Sequence, residues 1–221
     1  MITPRLDMII SHIYASKVAD IGTDHAYIPI YLAQNNLIEK AIATDLREGP
    51  LLIAKSNIEK YNLTEKIELR LGSGIAPIER GEVDTYIIAG MGGELISNIL
   101  SADTEKAYSA ETLVLQPMNA QDVLRKWLSE NGFSIIEEDI TTEEHKVYNL
   151  IIAKKGQGNT FRSEFELHLP PYLYSHKKFD SLKAKKKREF EKIRTGLLKA
   201  NDKDFKLIEK YSEFLSEIER I

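Results

Sequence analysis

Cysteine is absent from the 221-residue sequence, and so are long apolar runs. Without cysteine the chain forms neither disulfides nor thiolate zinc sites, and a cytoplasmic location is expected. The five histidines show no metal-ligand spacing such as HExxH, so we expect no metal. Neither a membrane-spanning apolar stretch nor a basic–apolar leader is present, so we expect no membrane association.

Charged residues are common, at 29% of the chain, and the two signs are unevenly distributed along it. The net charge is −4, which argues weakly against a nucleic-acid partner. Residues 176–199, however, hold ten lysines and arginines against three acids, a local charge of +7 on a remainder of −11. Such asymmetry indicates either an anionic partner at this segment or a solvated helix face.

Hydrophobic periodicity predicts an α/β fold. Strand-like apolar runs alternate with helical patterns five times, starting with a strand at residues 17–22 and following a short helix at 4–14. Two strand patterns, 133–140 and 146–153, then follow each other without a helix and should pair antiparallel. The prediction is a Rossmann-like sheet, mostly parallel with the last strand antiparallel. Asn119 is expected to cap the helix before residue 131.

The first strand ends in a turn suited to a nucleotide. Gly22 allows close approach of a ligand, and Pro29 fits the first turn of the following helix. A nicotinamide-binding turn would continue as GxGxxG, whereas Asp24 and Tyr27 stand here. Asp24 would repel a pyrophosphate but suits S-adenosyl-L-methionine (SAM), which has no phosphate and carries an ammonium and a sulfonium. Asp45 at the end of the second strand can accept from ribose hydroxyls, and the final antiparallel hairpin also favours a SAM-dependent methyltransferase.

The C-terminal part has a different pattern. Residues 156–159 resemble a linker, and beyond Pro170 two amphipathic helical stripes are separated by a break at Asn201. Two such helices predict an antiparallel hairpin or coiled-coil arm. We therefore expect two domains, a SAM-binding methyltransferase domain at 1–158 and a helical arm at 159–221.

Four motifs resemble a specific family. They are DIGTDHAYIP at residues 20–29, AGMGG at 89–93, LQP at 115–117 and RKWL at 125–128. In order and spacing they are similar to the bacterial tRNA (adenine-N1)-methyltransferases, class I SAM-dependent enzymes that modify adenine 22 of tRNA. The resemblance covers roughly residues 1–155 and, more loosely, the arm. It departs at Ser73, where an Asp is expected, which leaves open how the amine of the SAM adenine is bound.

The resemblance and the strand ends together indicate the site residues. Those expected to bind SAM are Asp20, Gly22, Asp45, Leu46, Ser73, Gly74, Gly90 and Met91. Those expected at the methyl-transfer site are Asp24, His25 and Tyr27. Gln116 is expected to meet the target adenine, and contacts to tRNA phosphates are expected from Lys183, Lys185, Lys186, Lys187 and Arg188.

Methylation of adenine N1 needs no general base from the protein. N1 has a free lone pair, so positioning and desolvation can carry most of an in-line transfer without a base. The product is cationic and would be stabilised by a carboxylate, for which Asp24 is the candidate, or by a backbone carbonyl. His25 and Tyr27 could stack on the base. Alternatively, His25 is a turn residue that hydrogen-bonds the backbone, and Tyr27 packs in the core.

Two alternatives remain open from the sequence. One is a methyltransferase for a small metabolite, with the arm used for dimerisation. The other is a non-catalytic adaptor whose arm binds a protein. The oligomeric state is open as well, with a monomer favoured.

Overall fold

Seven strands form one sheet in the computed structural model, which describes residues 2–221. They are β1 (Lys17–Ile21), β2 (Lys40–Asp45), β3 (Ile67–Leu71), β4 (Thr85–Met91), β5 (Thr112–Pro117), β6 (Phe133–Glu143) and β7 (Lys146–Lys155). Their order in the sheet is β3-β2-β1-β4-β5-β7-β6. The first five pair in parallel, and β7 is antiparallel to both β5 and β6. This confirms the predicted sheet and its reversed last strand.

Nine α-helices surround the sheet and continue beyond it within the described residues. They are α1 (Pro4–Ile10), α2 (Tyr27–Gln34), α3 (Glu48–Lys60), α4 (Gly93–Ser101), α5 (Thr104–Ala107), α6 (Gln121–Glu130), α7 (Glu164–His168), α8 (Phe179–Lys199) and α9 (Phe205–Ile218). One apolar cluster packs α1, α2 and α3 on one face of the sheet, and a second packs α4 and α6 on the other. The central strands are buried on both faces, as expected for a parallel sheet. The predicted first helix ends earlier, at Ile10.

The start of α6 differs from the sequence prediction. Ala120, not Asn119, precedes the helix, and it adopts a left-handed conformation with φ 50°. The backbone there is held by the start of α4, because Gly93 N donates to Asn119 O at 3.0 Å. A Cβ on Gly93 would lie 2.0 Å from Ala120 O, so only glycine permits this approach. The contact brings the ends of β4 and β5 together.

Helices α8 and α9 form the predicted antiparallel hairpin. From here on, "the arm" means this hairpin, residues 179–218. The middle of α8 meets the C-terminal end of α9: Lys187 pairs with Glu219, the residue after α9, and Phe190 packs on Phe214 with ring centroids 5.2 Å apart. The arm also packs on the body, since Phe190 and Phe214 share an apolar cluster with Ile140 of β6. Helix α7 and a 3-10 turn at Pro171–Leu173 make this connection, and the sequence analysis missed both.

Candidate functional site

A cleft of about 450 Å³ lies at the carboxyl ends of β1, β2 and β4. It is lined by the turns after those strands and by the first turn of α1, through Arg5, Leu6, Asp20, Gly22, Thr23, Asp24, His25, Ala26, Tyr27, Ile28, Asp45, Arg47, Ala89, Gly90 and Met91. We call it the strand-end cleft. The carboxyl ends of parallel strands are where α/β sheets bind ligands.

The end of β1 presents one buried carboxylate to the cleft. Asp20 is 7 % exposed, and its Oδ2 accepts from Thr23 Oγ1 at 2.6 Å. Burial raises the pKa of Asp20 to about 6, against the opposite effect of the Thr23 hydrogen bond. Gly22 adopts φ 74°, and a Cβ there would lie 2.1 Å from Met91 Cε. The positive φ therefore favours glycine at this position, and a larger residue would also force the side chain of Met91, at the end of β4, to move.

The end of β2 presents the second carboxylate. Asp45 is 8 % exposed, and its Oδ1 accepts from Arg47 N at 2.8 Å. Its Oδ2 has no hydrogen-bond partner among residues 2–221 and remains available to a ligand. Leu46 and Ser73 are exposed beside the cleft rather than in its lining. Gly72 N donates to Asp45 O at 2.9 Å, which places the turn of Ser73 and Gly74 next to Asp45.

The turn between β1 and α2 carries the three residues expected at the methyl-transfer site. Asp24 Oδ2 lies 3.1 Å from His25 Nε2, and the rings of His25 and Tyr27 stack with centroids 5.0 Å apart. Tyr27 is 57 % exposed, so it is not a core residue. Asn57 of α3 donates to His25 O at 3.0 Å and so ties the turn to α3. The structure thus brings Asp24, His25 and Tyr27 together on one wall of the strand-end cleft.

Gln116 does not face the strand-end cleft as the sequence led us to expect. It is fully buried at the end of β5, where its Oε1 accepts from Gly90 N at 3.2 Å and from Arg5 Nη1 at 2.9 Å. Its Nε2 donates to Pro117 O at 3.2 Å. Its role in the structure is to hold Gly90 and Arg5 in place, because each of its polar groups is already bonded within the protein.

The five basic residues predicted to bind phosphates differ in their surroundings. Lys186 is 4 % exposed, and its Nζ donates to Gln121 Oε1 at 3.2 Å and pairs with Glu189 at 2.9 Å. Lys183 bonds the backbone of Ile221, Lys185 that of Val147, and Lys187 pairs with Glu219. Arg188 is exposed. The expectation of a phosphate contact therefore fits Arg188, while Lys186 instead docks the arm on α6.

Sequence reasoning missed three polar residues of the strand-end cleft, namely Arg5, Thr23 and Arg47. Thr23 lies inside the recognised motif, and its spacing from Asp20 could have identified it. Arg5 gave no such signal, because the pattern of α1 identifies only the buried face of that helix. No group of three or more His, Asp or Glu in residues 2–221 is arranged to hold a metal ion. None of the helices described is long and apolar enough to cross a membrane.

Fold and cleft together define a class I, Rossmann-like methyltransferase fold. Three observations define this fold: the order of the strands, the reversed β7, and the acidic residues at the ends of β1 and β2. Residues 2–151 match the family model described as "Methyltransferase domain", and the chain belongs to this family.

Known proteins similar to the chain include a curated relative and two solved structures. The tRNA (adenine(22)-N(1))-methyltransferase of Bacillus subtilis is 40% identical over 156 residues, which are 70% of this chain and 66% of that protein. A Streptococcus pneumoniae protein solved in complex with S-adenosyl-L-methionine is 33% identical, with a TM-score of 0.87 over 100% of this chain and 99% of that one. M. capricolum TrmK, solved with S-adenosyl-homocysteine, is 28% identical, with a TM-score of 0.83 over 100% and 97% of the two chains.

Proposed function

We propose that the protein is a SAM-dependent methyltransferase that methylates N1 of an adenine in tRNA, at position 22. The observation that carries the proposal is a cleft with carboxylates at the ends of β1 and β2, in a chain 40% identical to a tRNA (adenine(22)-N(1))-methyltransferase. The solved relatives that contain SAM or its product S-adenosyl-homocysteine match the whole chain in fold, which supports the same cofactor here. A cytoplasmic location belongs to the proposal and agrees with the lack of cysteine.

The residues of the strand-end cleft suit SAM. Asp45 keeps Oδ2 available, so its carboxylate can accept from a ribose hydroxyl, as strand-end acids do in nucleotide sites. Asp20 offers a carboxylate to the cationic end of the ligand. The turn of Ser73 and Gly74, next to Asp45, is where the adenine of the cofactor would lie. Gly90, with φ 79°, leaves its surroundings open, since a Cβ there would meet only Arg5 Nη1 at 3.6 Å.

When bound, SAM supplies a methyl group on a sulfonium, and adenine N1 attacks that carbon with its lone pair. The S–C bond breaks as the N–C bond forms, and the positive charge passes from sulfur to the adenine ring. No proton has to be removed for the transfer, so the protein's task is to position the base and exclude water. Asp24 is 3.1 Å from His25 and can stabilise the cationic ring, while Tyr27 and His25 offer a stacked surface to the base.

Calorimetry and tRNA retention test the proposal against its alternatives. We expect SAM to bind the wild-type protein, and Asp45→Ala to weaken binding by about ten-fold or more, because a hydrogen bond to an ionised acceptor contributes roughly 1.5–3 kcal/mol. A wild-type protein that does not bind SAM would support the adaptor instead. SAM binding without retention of tRNA at any salt concentration would support a small-molecule methyltransferase. Equal affinity in Asp45→Ala would remove Asp45 from the site.

A further inference from the structure

Arg5 is a cleft residue whose guanidinium is held in place by a wholly buried polar side chain. Gln116 is fully buried, and its Oε1 accepts from both Arg5 Nη1 and Gly90 N. The guanidinium also lies over the ring of Tyr148, 5.8 Å from its centroid. A buried polar group must be hydrogen-bonded to avoid a substantial cost. Gln116 is therefore placed so that it fixes the guanidinium of Arg5 relative to the end of β4.

The carboxylates of the strand-end cleft have other partners than Arg5. Asp20 accepts from Thr23, Asp24 faces His25, and Asp45 is bonded to the backbone N–H of Arg47 and lies 3.7 Å from its Nε. Glu143 approaches only the backbone N–H of Arg5, at 3.3 Å. Among residues 2–221, Arg5 is thus a half-buried guanidinium in the cleft without an ion-pair partner.

An arginine guanidinium has five N–H donors in a planar fork that matches a carboxylate or phosphate. The neutral Gln116 takes up one of those nitrogens without neutralising the charge. A fixed, charged and unneutralised fork is what an anion-binding site requires. Charge-assisted hydrogen bonds of this kind are about twice as strong as neutral ones.

We propose that Arg5 binds an oxyanion of the reactants in the strand-end cleft. The inference rests on the proposed function, which brings two oxyanions to this place. One is a phosphate of the target nucleotide, since a base that leaves its stack carries its backbone toward the enzyme. The other is the carboxylate at the methionine end of SAM. Both oxyanions match the planar donors of the Arg5 guanidinium. Removing the guanidinium distinguishes them, because either tRNA or SAM then loses affinity.

The test compares Arg5→Gln and Arg5→Lys with wild type, and uses Arg80→Gln as the matched control. Arg80 pairs with Glu105 on the surface, away from the strand-end cleft. Binding of SAM and of 5′-methylthioadenosine, which lacks the carboxylate, is measured by calorimetry. Methylation of tRNA is measured as kcat and KM at several salt concentrations. Urea unfolding of each variant confirms that the fold is retained.

Each oxyanion predicts a different result for Arg5→Gln. If Arg5 binds the tRNA phosphate, SAM affinity stays unchanged, KM for tRNA rises about ten-fold, and the salt slope of tRNA binding falls by about one. If it binds the carboxylate, SAM affinity falls about ten-fold and methylthioadenosine affinity is unchanged. In both cases Arg5→Lys restores part of the loss and Arg80→Gln has no effect.

Two results would overturn the inference. One is Arg5→Gln with wild-type SAM affinity and wild-type kinetics. The other is an equal loss of affinity for SAM and for methylthioadenosine in Arg5→Gln, which would mean that Arg5 only shapes the cleft. Failure of the proposed function is distinguishable from both, because the wild-type protein itself would then not bind SAM or not methylate tRNA.

Discussion

Asp24 directs its carboxylate at His25 while remaining 70 % exposed at the cleft. An anion placed there stabilises the cationic adenine formed by methylation but is not needed to hold SAM. We predict that Asp24→Asn retains SAM affinity and lowers kcat for tRNA methylation by about ten-fold or more, in line with the loss of one charge-assisted interaction in the transition state. Single-turnover kinetics at saturating SAM measure the step. Undiminished turnover would mean that Asp24 is only a turn residue.

Asp20 makes the stability of the unliganded protein depend on pH. Its pKa is about 6 in the folded protein, against an ordinary value of 3.8. The folded state therefore binds more protons between these two values, and the free energy of unfolding falls as the pH rises through this window, by on the order of 3 kcal/mol. Asp20→Asn should remove that part of the slope. Urea unfolding of both proteins from pH 3.5 to 7.5 measures it, and identical slopes would contradict the account.

The same carboxylate predicts how SAM binding responds to acid. A cationic ligand prefers ionised Asp20, and lowering the pH from 7.5 to 5 protonates about nine-tenths of a group with a pKa near 6. Wild-type affinity for SAM should then fall about ten-fold. Asp20→Asn should bind more weakly at pH 7.5 and lose little more at pH 5. Calorimetry at the two pH values decides between this result and a parallel loss in both proteins.

Some residues of this site could be predicted from the sequence, and others could not. Asp20, Gly22, Asp45 and Gly90 could be predicted because each lies at or next to the end of a recognisable strand. The burial of Gln116 could not be predicted, because its bond to Arg5 spans 111 residues along the chain. Lys186 likewise sits in a basic segment that resembles a solvated helix face, and only the docking of α8 on Gln121 explains it.

The helices and strands owe their arrangement partly to a buried ion pair. Arg125 of α6 and Glu138 of β6 are almost inaccessible and pair at 2.7 Å. Arg125 Nη1 also donates to Leu167 O at 2.6 Å, which ties α7 to both elements. The charge and hydrogen bonds of Glu138 raise the pKa of Arg125, in opposition to burial. The RKWL motif at residues 125–128 is therefore structural at its first position.

We predict that Glu138→Gln destabilises the protein by about 3–5 kcal/mol, because it leaves the charge of Arg125 buried and uncompensated. The matched control is Glu105→Gln, whose exposed partner is Arg80, and it should cost at most about 1 kcal/mol. Urea unfolding at pH 7.5 measures both. Similar small effects of the two substitutions would show that the buried pair does not hold α6, β6 and α7 together.

Whole elements were predicted better than their connections. The alternation of apolar patterns was sufficient for the parallel strands, and two adjacent strand patterns were sufficient for the β6–β7 pair. Helix α7 and the Pro171–Leu173 turn were missed, because they are too short for a periodic signal and depend on packing. The linker expected at 156–159 is not free either, since Asn159 bonds both backbone groups of Ile135. The domain boundary near residue 158 stays a prediction.

At the scale of the molecule, the +7 segment on a −11 remainder is the feature that suits a polyanion. Exposed cations of α8 are Arg188, Lys192 and Lys199. We predict that replacing all three with Ala weakens tRNA binding and lowers its salt slope by about one for each phosphate that is no longer neutralised, while SAM affinity stays unchanged. The control replaces three exposed lysines of the body, Lys55, Lys126 and Lys154. Equal losses of affinity in the two triple variants would remove the arm as the part that binds tRNA.

The central claim is that the strand-end cleft methylates N1 of adenine 22 in tRNA. The most direct test incubates the wild-type protein with SAM and two tRNA transcripts that differ only in carrying adenine or guanine at position 22. Nucleoside mass spectrometry then quantifies 1-methyladenosine in each transcript. We predict close to one 1-methyladenosine per molecule with adenine 22 and none with guanine 22. Equal methylation of the two transcripts, a methyl group on another atom, or no methylation of either would contradict the account.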